Sequence, residues 1–276
     1  MATAGLDEPS SDQSKGRVSW KAVALPTEHG GWGMLGEPLL LGLMLAPSLA
    51  GAGIAVAALA AFLSRHPLKL ALADYWRRTR YPRTALAEKC AALYATVGLA
   101  GLALGAWRAG LTPFIPVAVA APFALLQLAY DARHQGRRLA PELLGGAALG
   151  SAATAVMLAG GWPWAVAWAV WALMAAKAVS SVLYVRTRFR MDRGQGPSVW
   201  PAGLSHVGAI GMAAGLARLN VAPWLGVFAF VILLGRTLHG LSSHHRRLRP
   251  QAVGMQEMAF GLLTTLLLAL GFALGL

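Results

Sequence analysis

The sequence is poor in cysteine and in charge, and each shortage excludes a class of protein. Cys90 is the only cysteine among 276 residues, which excludes a disulfide framework, a zinc ribbon and a CxxC redox site. Charged residues make up 13% of the chain, whereas soluble domains carry about 25%. Hydrophobic residues make up 57% and the mean hydropathy is +0.55, so an ordinary soluble domain is excluded as well.

Acidic residues are scarce relative to basic ones. The chain has 11 Asp and Glu against 24 Lys and Arg, which gives a formal net charge of +13. In a soluble protein this excess would favour a nucleic-acid partner. Here the apolar fraction leaves little surface for a nucleic-acid groove, so we expect no nucleic acid.

Long stretches without charge predict membrane-spanning helices, because a crossing needs about 20 mostly apolar residues. The uncharged stretches 38–64 and 143–176 are divided by Gly and Pro, near 46–53 and at 160–163. The predicted fold class is an all-α polytopic membrane helix bundle, a single transmembrane domain over residues 21–276 with the lipid bilayer as its partner. Its nine predicted spans cover residues 33–49, 51–70, 86–106, 110–130, 141–160, 163–185, 199–217, 221–240 and 256–276.

The distribution of basic residues predicts the orientation. Residues 1–20 are polar and predict a disordered tail. A cleavable signal peptide would need an apolar segment near Met1, and there is none, so we expect no signal peptide. With a cytoplasmic N-terminus, every Lys and Arg lies on the cytoplasmic side except Arg108, Arg218 and Lys177. The positive-inside rule therefore predicts that the N-terminus is cytoplasmic and the C-terminus outside. Most such arginines contact anionic lipid headgroups, so charge alone predicts no function.

Polar residues cluster where the predicted spans meet the cytoplasm. Lys177 lies inside a span, where a charge is costly unless it faces a wet cavity or a counter-charge, and Glu37 and Glu142 are candidate partners. A further polar set, Arg236, His239, His244 and His245, follows the eighth span. The candidate ligand-binding residues are Arg65, Lys69, Asp74, Tyr130, Asp131, Glu142, Lys177, Tyr184, Arg186, Arg188 and Asp192.

This arrangement predicts a pocket with one cationic and one apolar wall, open to the cytoplasm. Such a pocket suits an amphiphile with an anionic head, such as a phosphorylated isoprenoid or lipid. The alternative is that these residues only form interhelical hydrogen bonds and charge pairs that hold the bundle together.

The segment from Pro26 to Gly33 contains Glu28 and His29 directly before the first span. These two residues are candidates for a general acid–base pair, and His66 is a third catalytic candidate. The alternative is an interfacial turn without catalytic role. The seven histidines show no HxxxH or HExxH spacing, so we expect no metal site and no cofactor.

Pro-Thr-Glu-His-Gly-Gly-Trp at 26–32, followed by Pro-Leu-Leu-Leu-Gly-Leu at 38–43, resembles the YwiC-like family of bacterial multi-pass membrane proteins. The resemblance implies a bacterial cytoplasmic (inner) membrane. More distantly, the layout looks like UbiA-type intramembrane prenyltransferases, which have nine helices around a cavity open to the cytoplasm. Residues 137–144 look like that family's Gly-Glu-Leu at the start of its fifth helix, with Glu142 as the matching carboxylate.

The chain departs from that family at its two acidic motifs, which hold a prenyl diphosphate through magnesium. In place of the first motif, this chain has Arg65-His66-Pro67-Leu68-Lys69 and a single Asp74. In place of the second, it has the arginine-rich residues 186–190 and a single Asp192. Two magnesium ions need several clustered carboxylates, so magnesium is disfavoured. Arg and Lys could instead bind the phosphate directly.

Three hypotheses follow from these residues. The first is a degenerate prenyltransferase relative that binds a phosphorylated isoprenoid or lipid through Arg65, Lys69, Lys177, Arg186 and Arg188, with His66 or His29 as acid or base if chemistry occurs. The second is a transporter or lipid flippase, and the third is a non-catalytic membrane scaffold.

Overall fold

The computed structural model describes residues 19–26, 29–133, 135–136, 138–242 and 247–276, with the backbone alone at 29, 30 and 132. Within these ranges the chain forms ten α-helices and one 3-10 turn and no strand, so the all-α class is confirmed. The helices are α1 (Trp20–Ala24), α2 (His29–Leu45), α3 (Leu49–Trp76), α4 (Thr84–Ala109), α5 (Ile115–Ala132), α6 (Leu139–Ala159), α7 (Trp164–Asp192), α8 (Trp200–Arg218), α9 (Trp224–Gly240) and α10 (Pro250–Leu274). The 3-10 turn Thr112–Phe114 precedes α5.

Helices α2 to α10 overlap the nine predicted spans one by one. Six helical segments are long and apolar enough to cross a membrane: α3, α4, α6, α7, α10 and the segment Thr112–Asp131. Two shorter apolar helices, Gly31–Leu45 and Trp224–Gly240, accompany them. The chain is therefore a multi-pass membrane protein. The count of nine crossings and the sides of the two termini stay predictions, as does the tail over residues 1–20, most of which lies outside the described residues.

Both predicted breaks in the longest apolar stretches are present. Between α2 and α3 the chain turns at residues 46–48, where the Ser48 Oγ accepts a hydrogen bond from the Gly51 backbone N–H (3.0 Å). Between α6 and α7 it turns at 160–163, where Gly161 adopts φ +85°. A positive φ is readily available to glycine, so the Gly-Gly pair ends α6 at this point.

The helices are arranged around α6 and α7. The apolar windows of these two helices are each 61% buried inside the protein, against 22% for α4 and 17% for the segment containing α5. Helix α6 packs on α2, α3, α5 and α7, and the chain of contacts α7–α8–α9–α10–α2 closes the bundle on the other side. Side chains from this second group and from α6 meet in a core that includes Leu41, Met157, Leu173, Phe230 and Leu268.

Helices α3 and α4 form a hairpin that extends beyond the rest of the bundle. Their backbones approach closely at Gly53 and Gly101, where a Cβ atom on Gly101 would lie 2.5 Å from the Gly53 carbonyl oxygen. At the connecting end, Asp74 accepts hydrogen bonds from Arg83 (3.1 Å) and Thr84 (2.7 Å). The hydrogen bond and charge from Asp74 raise the pKa of the Arg83 guanidinium. These contacts fix the turn between the two helices.

One face of the bundle gathers most of the charged residues, and we name it the charged face. Here α5 and α7 end and α6 and α10 begin, and Asp131, Glu142, Arg186 and Asp192 lie within two turns of these helix ends. Arg65 lies beside them on α3, three turns before that helix ends. The positive-inside rule predicts that this face is cytoplasmic.

Candidate functional site: a cavity with paired charges

A cavity of about 840 Å³ lies between α2, α3, α5, α6, α7 and α10, toward the charged face. Its volume is within the range of sites for small molecules, roughly 300–1,000 Å³. One part of its wall is apolar, with Phe62, Leu149, Val182, Val185 and Phe189 among the lining residues. The charged residues that line it are Glu37, Arg65, Asp131, Glu142, Lys177, Arg186, Asp192, Arg193 and Glu257. The cavity is therefore amphiphilic.

Helix α7 supplies the longest wall of the cavity. Residues spaced three and four apart share a helix face, and the lining residues Lys177, Ser181, Val185, Phe189 and Asp192 follow this spacing. An α-helix rises about 1.5 Å per residue, so Lys177 lies about 22 Å from Asp192 along the axis. Lys177 therefore marks the floor of the cavity, and the end of α7 marks its mouth.

Two ion pairs connect the helices around the mouth. Arg65 on α3 donates to Asp131 on α5 (2.6 Å), and Arg186 on α7 donates to Glu142 on α6 (2.7 Å). The arginine side chains are 35% and 36% exposed, so water reaches both pairs. Exposed pairs of this kind add little stability, about 0–1 kcal/mol each.

A buried ion pair lies at the floor, between Lys177 on α7 and Glu37 on α2. Their side chains are only 9% and 10% exposed. The Glu37 carboxylate rests directly on Gly261 of α10, where a Cβ atom would overlap it, and a Cβ atom on Gly33, one turn away on its own helix, would lie 3.2 Å from it. Since a charge inside a membrane bundle is costly without a partner, this pair accounts for the lysine within a predicted span.

A second buried pair, Arg236 of α9 with Glu257 of α10, lies beside the floor. The Arg236 guanidinium stacks 4.0 Å above the Tyr184 ring centroid. Among the described residues, its Nε and Nη2 and the Glu257 Oε2 have no hydrogen-bond partner. Glu257 lines the cavity, so polar groups surround the floor from α9 and α10 as well as from α2 and α7.

Ser181 lies one helical turn from Lys177 and also lines the cavity. The residue is 6% exposed, and its hydroxyl has no hydrogen-bond partner among the described residues. Buried hydroxyls are normally hydrogen-bonded, so an unsatisfied one next to a cavity indicates a place for an incoming acceptor.

The residues predicted from the sequence fall into two groups, those that line the cavity and those that lie elsewhere. Six of them line the cavity: Arg65, Asp131, Glu142, Lys177, Arg186 and Asp192. Tyr184 and Arg188 instead face α9, where Arg188 donates to the Gly240 carbonyl (2.8 Å) and to the Tyr184 hydroxyl (3.3 Å).

The predicted residues further along α3 also lie away from the cavity, because this helix continues for three turns beyond Arg65. Lys69 is exposed there, and Asp74 is buried against α4. His66 contacts the Ala22 carbonyl of α1 (3.1 Å) rather than the cavity.

Three further predicted residues add nothing to the described cavity. Tyr130 is absent from its described lining. Glu28 and the side chain of His29 lie outside the described residues, so their predicted catalytic roles stay predictions. His244 and His245 of the polar set after the eighth span also lie outside the described residues.

The expected cationic wall in fact carries charges of both signs. Glu257 was absent from the predicted site, and Glu37 was predicted as a candidate partner of Lys177; both line the cavity. Their signal in the sequence was their position inside predicted apolar spans, as for Lys177. Because Lys177 has Glu37 as its partner, a ligand at the floor has to compete with this carboxylate.

The residues in place of the two acidic motifs do not suit a pair of magnesium ions. Asp74 is bound to α4, away from the cavity, and Asp192 lies 3.9 Å from the Arg188 guanidinium. Within the described ranges, no group of three or more His, Cys, Asp or Glu side chains is placed to hold a metal ion. We therefore derive no step through magnesium.

Comparison with known proteins finds a family similarity in the part of the chain that forms one side of the cavity. No curated protein and no solved structure matches the chain, so the similarity to UbiA-type prenyltransferases stays a prediction. The family model described as YwiC-like protein matches residues 25–157, which confirms the resemblance to that family. Residues 25–157, which supply Glu37, Arg65, Asp131 and Glu142 to the cavity, are therefore similar to that family.

Proposed function

We propose that this membrane protein binds an amphiphile with a phosphate head in the cavity. The head contacts Lys177 and Ser181, and the hydrocarbon chain lies along the apolar wall. The observation that supports this proposal is the position of a buried ammonium group and an unsatisfied hydroxyl, one helical turn apart, in a cavity with apolar sides. A phosphate has several strong acceptor oxygens and accepts from both groups at once.

The mouth of the cavity gives the head group a path to this floor. Arg65 and Arg186 each give one nitrogen to a carboxylate in the contacts described above. A guanidinium has five N–H donors, so Arg65 can contact a passing phosphate while it keeps its carboxylate. The mouth therefore offers hydrogen-bond donors to an anionic head, and the floor binds it.

We assign binding to the cavity and no covalent step. The described lining residues include no histidine, and the candidate base His66 is hydrogen-bonded outside the cavity. A carrier is the second candidate function, because charge pairs inside a membrane bundle commonly mark the path of a substrate or ion. The pairs Lys177–Glu37 and Arg236–Glu257 favour it.

Titration calorimetry of the purified protein in detergent tests the proposal. The probes are farnesyl phosphate and dioctanoyl phosphatidate, with farnesol and dioctanoylglycerol as controls that lack the phosphate. Hydrogen bonds to charged groups contribute about 1.5–3 kcal/mol, so Lys177→Gln should weaken the binding of the phosphates by roughly 10- to 150-fold. The matched variant Lys89→Gln, at an exposed position of α4, should bind as the unmodified protein does.

The two phosphate probes distinguish an isoprenoid from a glycerolipid as the preferred ligand. Equal affinity for a phosphate and its matching alcohol would refute the proposal. So would equal affinities of Lys177→Gln and Lys89→Gln for the phosphate probes.

A further inference from the structure

We propose that a phosphate head that binds at the floor brings one proton into the protein, which neutralises Glu37. This inference rests on the proposed function and adds a coupling between ligand binding and proton uptake. Its basis is the geometry of the Lys177–Glu37 pair, in which a single buried cation already has a single buried anion as its partner.

The first step is the balance of charge at the floor. In the ligand-free protein the Lys177 ammonium and the Glu37 carboxylate neutralise each other. A phosphate that takes the place of the carboxylate beside Lys177 leaves Glu37 as an unpaired anion in a buried position. An unpaired buried charge is costly, and a carboxylate escapes this cost when it binds a proton.

The second step is that Glu37 cannot move into water. Its carboxylate lies against Gly261 and Gly33, positions without a side chain of their own, so it is held between α2 and α10. Its side chain is 10% exposed. The carboxylate therefore stays in the same buried place when Lys177 turns to the phosphate.

The third step concerns the other charged groups around Glu37. Glu257 approaches from α10, one turn before Gly261, and is paired with Arg236 of α9. Along the cavity wall, α3 contributes Arg65, α5 contributes Asp131 and α6 contributes Glu142, and Asp131 and Glu142 are paired with arginines of their own. Arg236 and Arg65 each already have a carboxylate partner, so we expect a proton to neutralise Glu37.

The coupling has a measurable consequence. If one proton enters with each ligand, affinity falls by about tenfold for each unit rise in pH over the range in which the proton is exchanged. Lower pH on the charged face therefore favours loading of the cavity, and higher pH favours release.

Calorimetry in two buffers that differ in ionisation enthalpy measures the protons taken up when farnesyl phosphate or dioctanoyl phosphatidate binds. The unmodified protein is compared with Glu37→Gln, which resembles the protonated carboxyl group. The ionisation of the probe contributes equally to both proteins, so the difference between them reports Glu37. We expect a difference of about one proton per ligand. The matched control is Glu88→Gln, which removes a carboxylate from an exposed ion pair with Arg80 and should take up as many protons as the unmodified protein.

The outcomes separate this inference from the proposed function. Binding with the same proton uptake in the unmodified protein and in Glu37→Gln overturns the inference alone. The absence of phosphate-dependent binding in the unmodified protein overturns both. If Glu37→Gln is unstable, the affinity of the unmodified protein is measured as a function of pH instead. An affinity that changes with pH only as far as the ionisation of the free probe accounts for would show that Glu37 takes up no proton, and would overturn the inference.

Discussion

Removal of Lys177 should destabilise the protein far more than removal of either arginine at the cavity mouth. In Lys177→Met, Glu37 remains buried without a partner, and breaking a buried pair in this way costs about 3–5 kcal/mol. Arg186→Met breaks a pair whose side chains are 36% and 33% exposed. That loss should be about 0–1 kcal/mol, because water screens the pair. The difference between the two variants is therefore several kcal/mol.

The double variant Glu37→Met with Lys177→Met separates lost charge pairing from lost packing. Replacing both members of a buried pair by apolar side chains of similar volume is often neutral or stabilising. We therefore expect the double variant to recover most of the stability that Lys177→Met loses. The assay is reversible unfolding in mixed micelles followed by tryptophan fluorescence, with the exposed Lys89→Met as control. Equal stability of Lys177→Met and Arg186→Met, or no recovery in the double variant, would refute the reasoning.

Three further predictions follow. Ser181→Ala removes a buried hydroxyl without a described partner, so the unfolding free energy should stay constant or rise by about 1 kcal/mol. The affinity for farnesyl phosphate should fall roughly tenfold or more. The calorimetric control is Ser180→Ala, since the Ser180 hydroxyl donates to the helix backbone. Gly261→Ala places a methyl group on the Glu37 carboxylate and should lower the unfolding free energy, whereas Gly254→Ala, with open space around it, should not. Magnesium, compared with EDTA in the same titration, should change phosphate affinity less than about twofold, since several clustered carboxylates are needed to bind it.

The helices were predictable from the sequence because their cause is local. Apolar runs of membrane-crossing length form helices that satisfy their own backbone hydrogen bonds, and Gly and Pro divide the runs at 46–48 and 160–163. The gathering of charge on one face was also predictable. When consecutive helices cross in alternate directions, every second connection lies on the same side.

Glu37 was one of two candidates for the partner of Lys177, and the structure pairs them. The partners of the other charged residues were not predictable, because they depend on how far each helix extends and how it is rotated. Lys177 and Tyr184 are seven residues apart and were placed on one stripe, yet Lys177 contacts α2 while Tyr184 contacts α9. Asp74 was placed at the pocket, but α3 continues past the mouth and carries Asp74 to α4. Such contacts between distant segments leave no trace in spacing along one helix.

Paired charges give the cavity a different kind of selectivity from the cationic wall that the sequence suggested. A head group at the floor replaces Glu37 as the partner of Lys177. The binding free energy therefore includes only the difference between the two sets of contacts. Charges at an exposed rim mainly change the association rate and its salt dependence, whereas buried pairs mainly change dissociation. Arg65 and Arg186 should therefore set how fast an anionic amphiphile arrives, and the protonation of Glu37 should set how long it stays. Salt and pH then act on separate steps, which a cavity lined by cations alone would not allow.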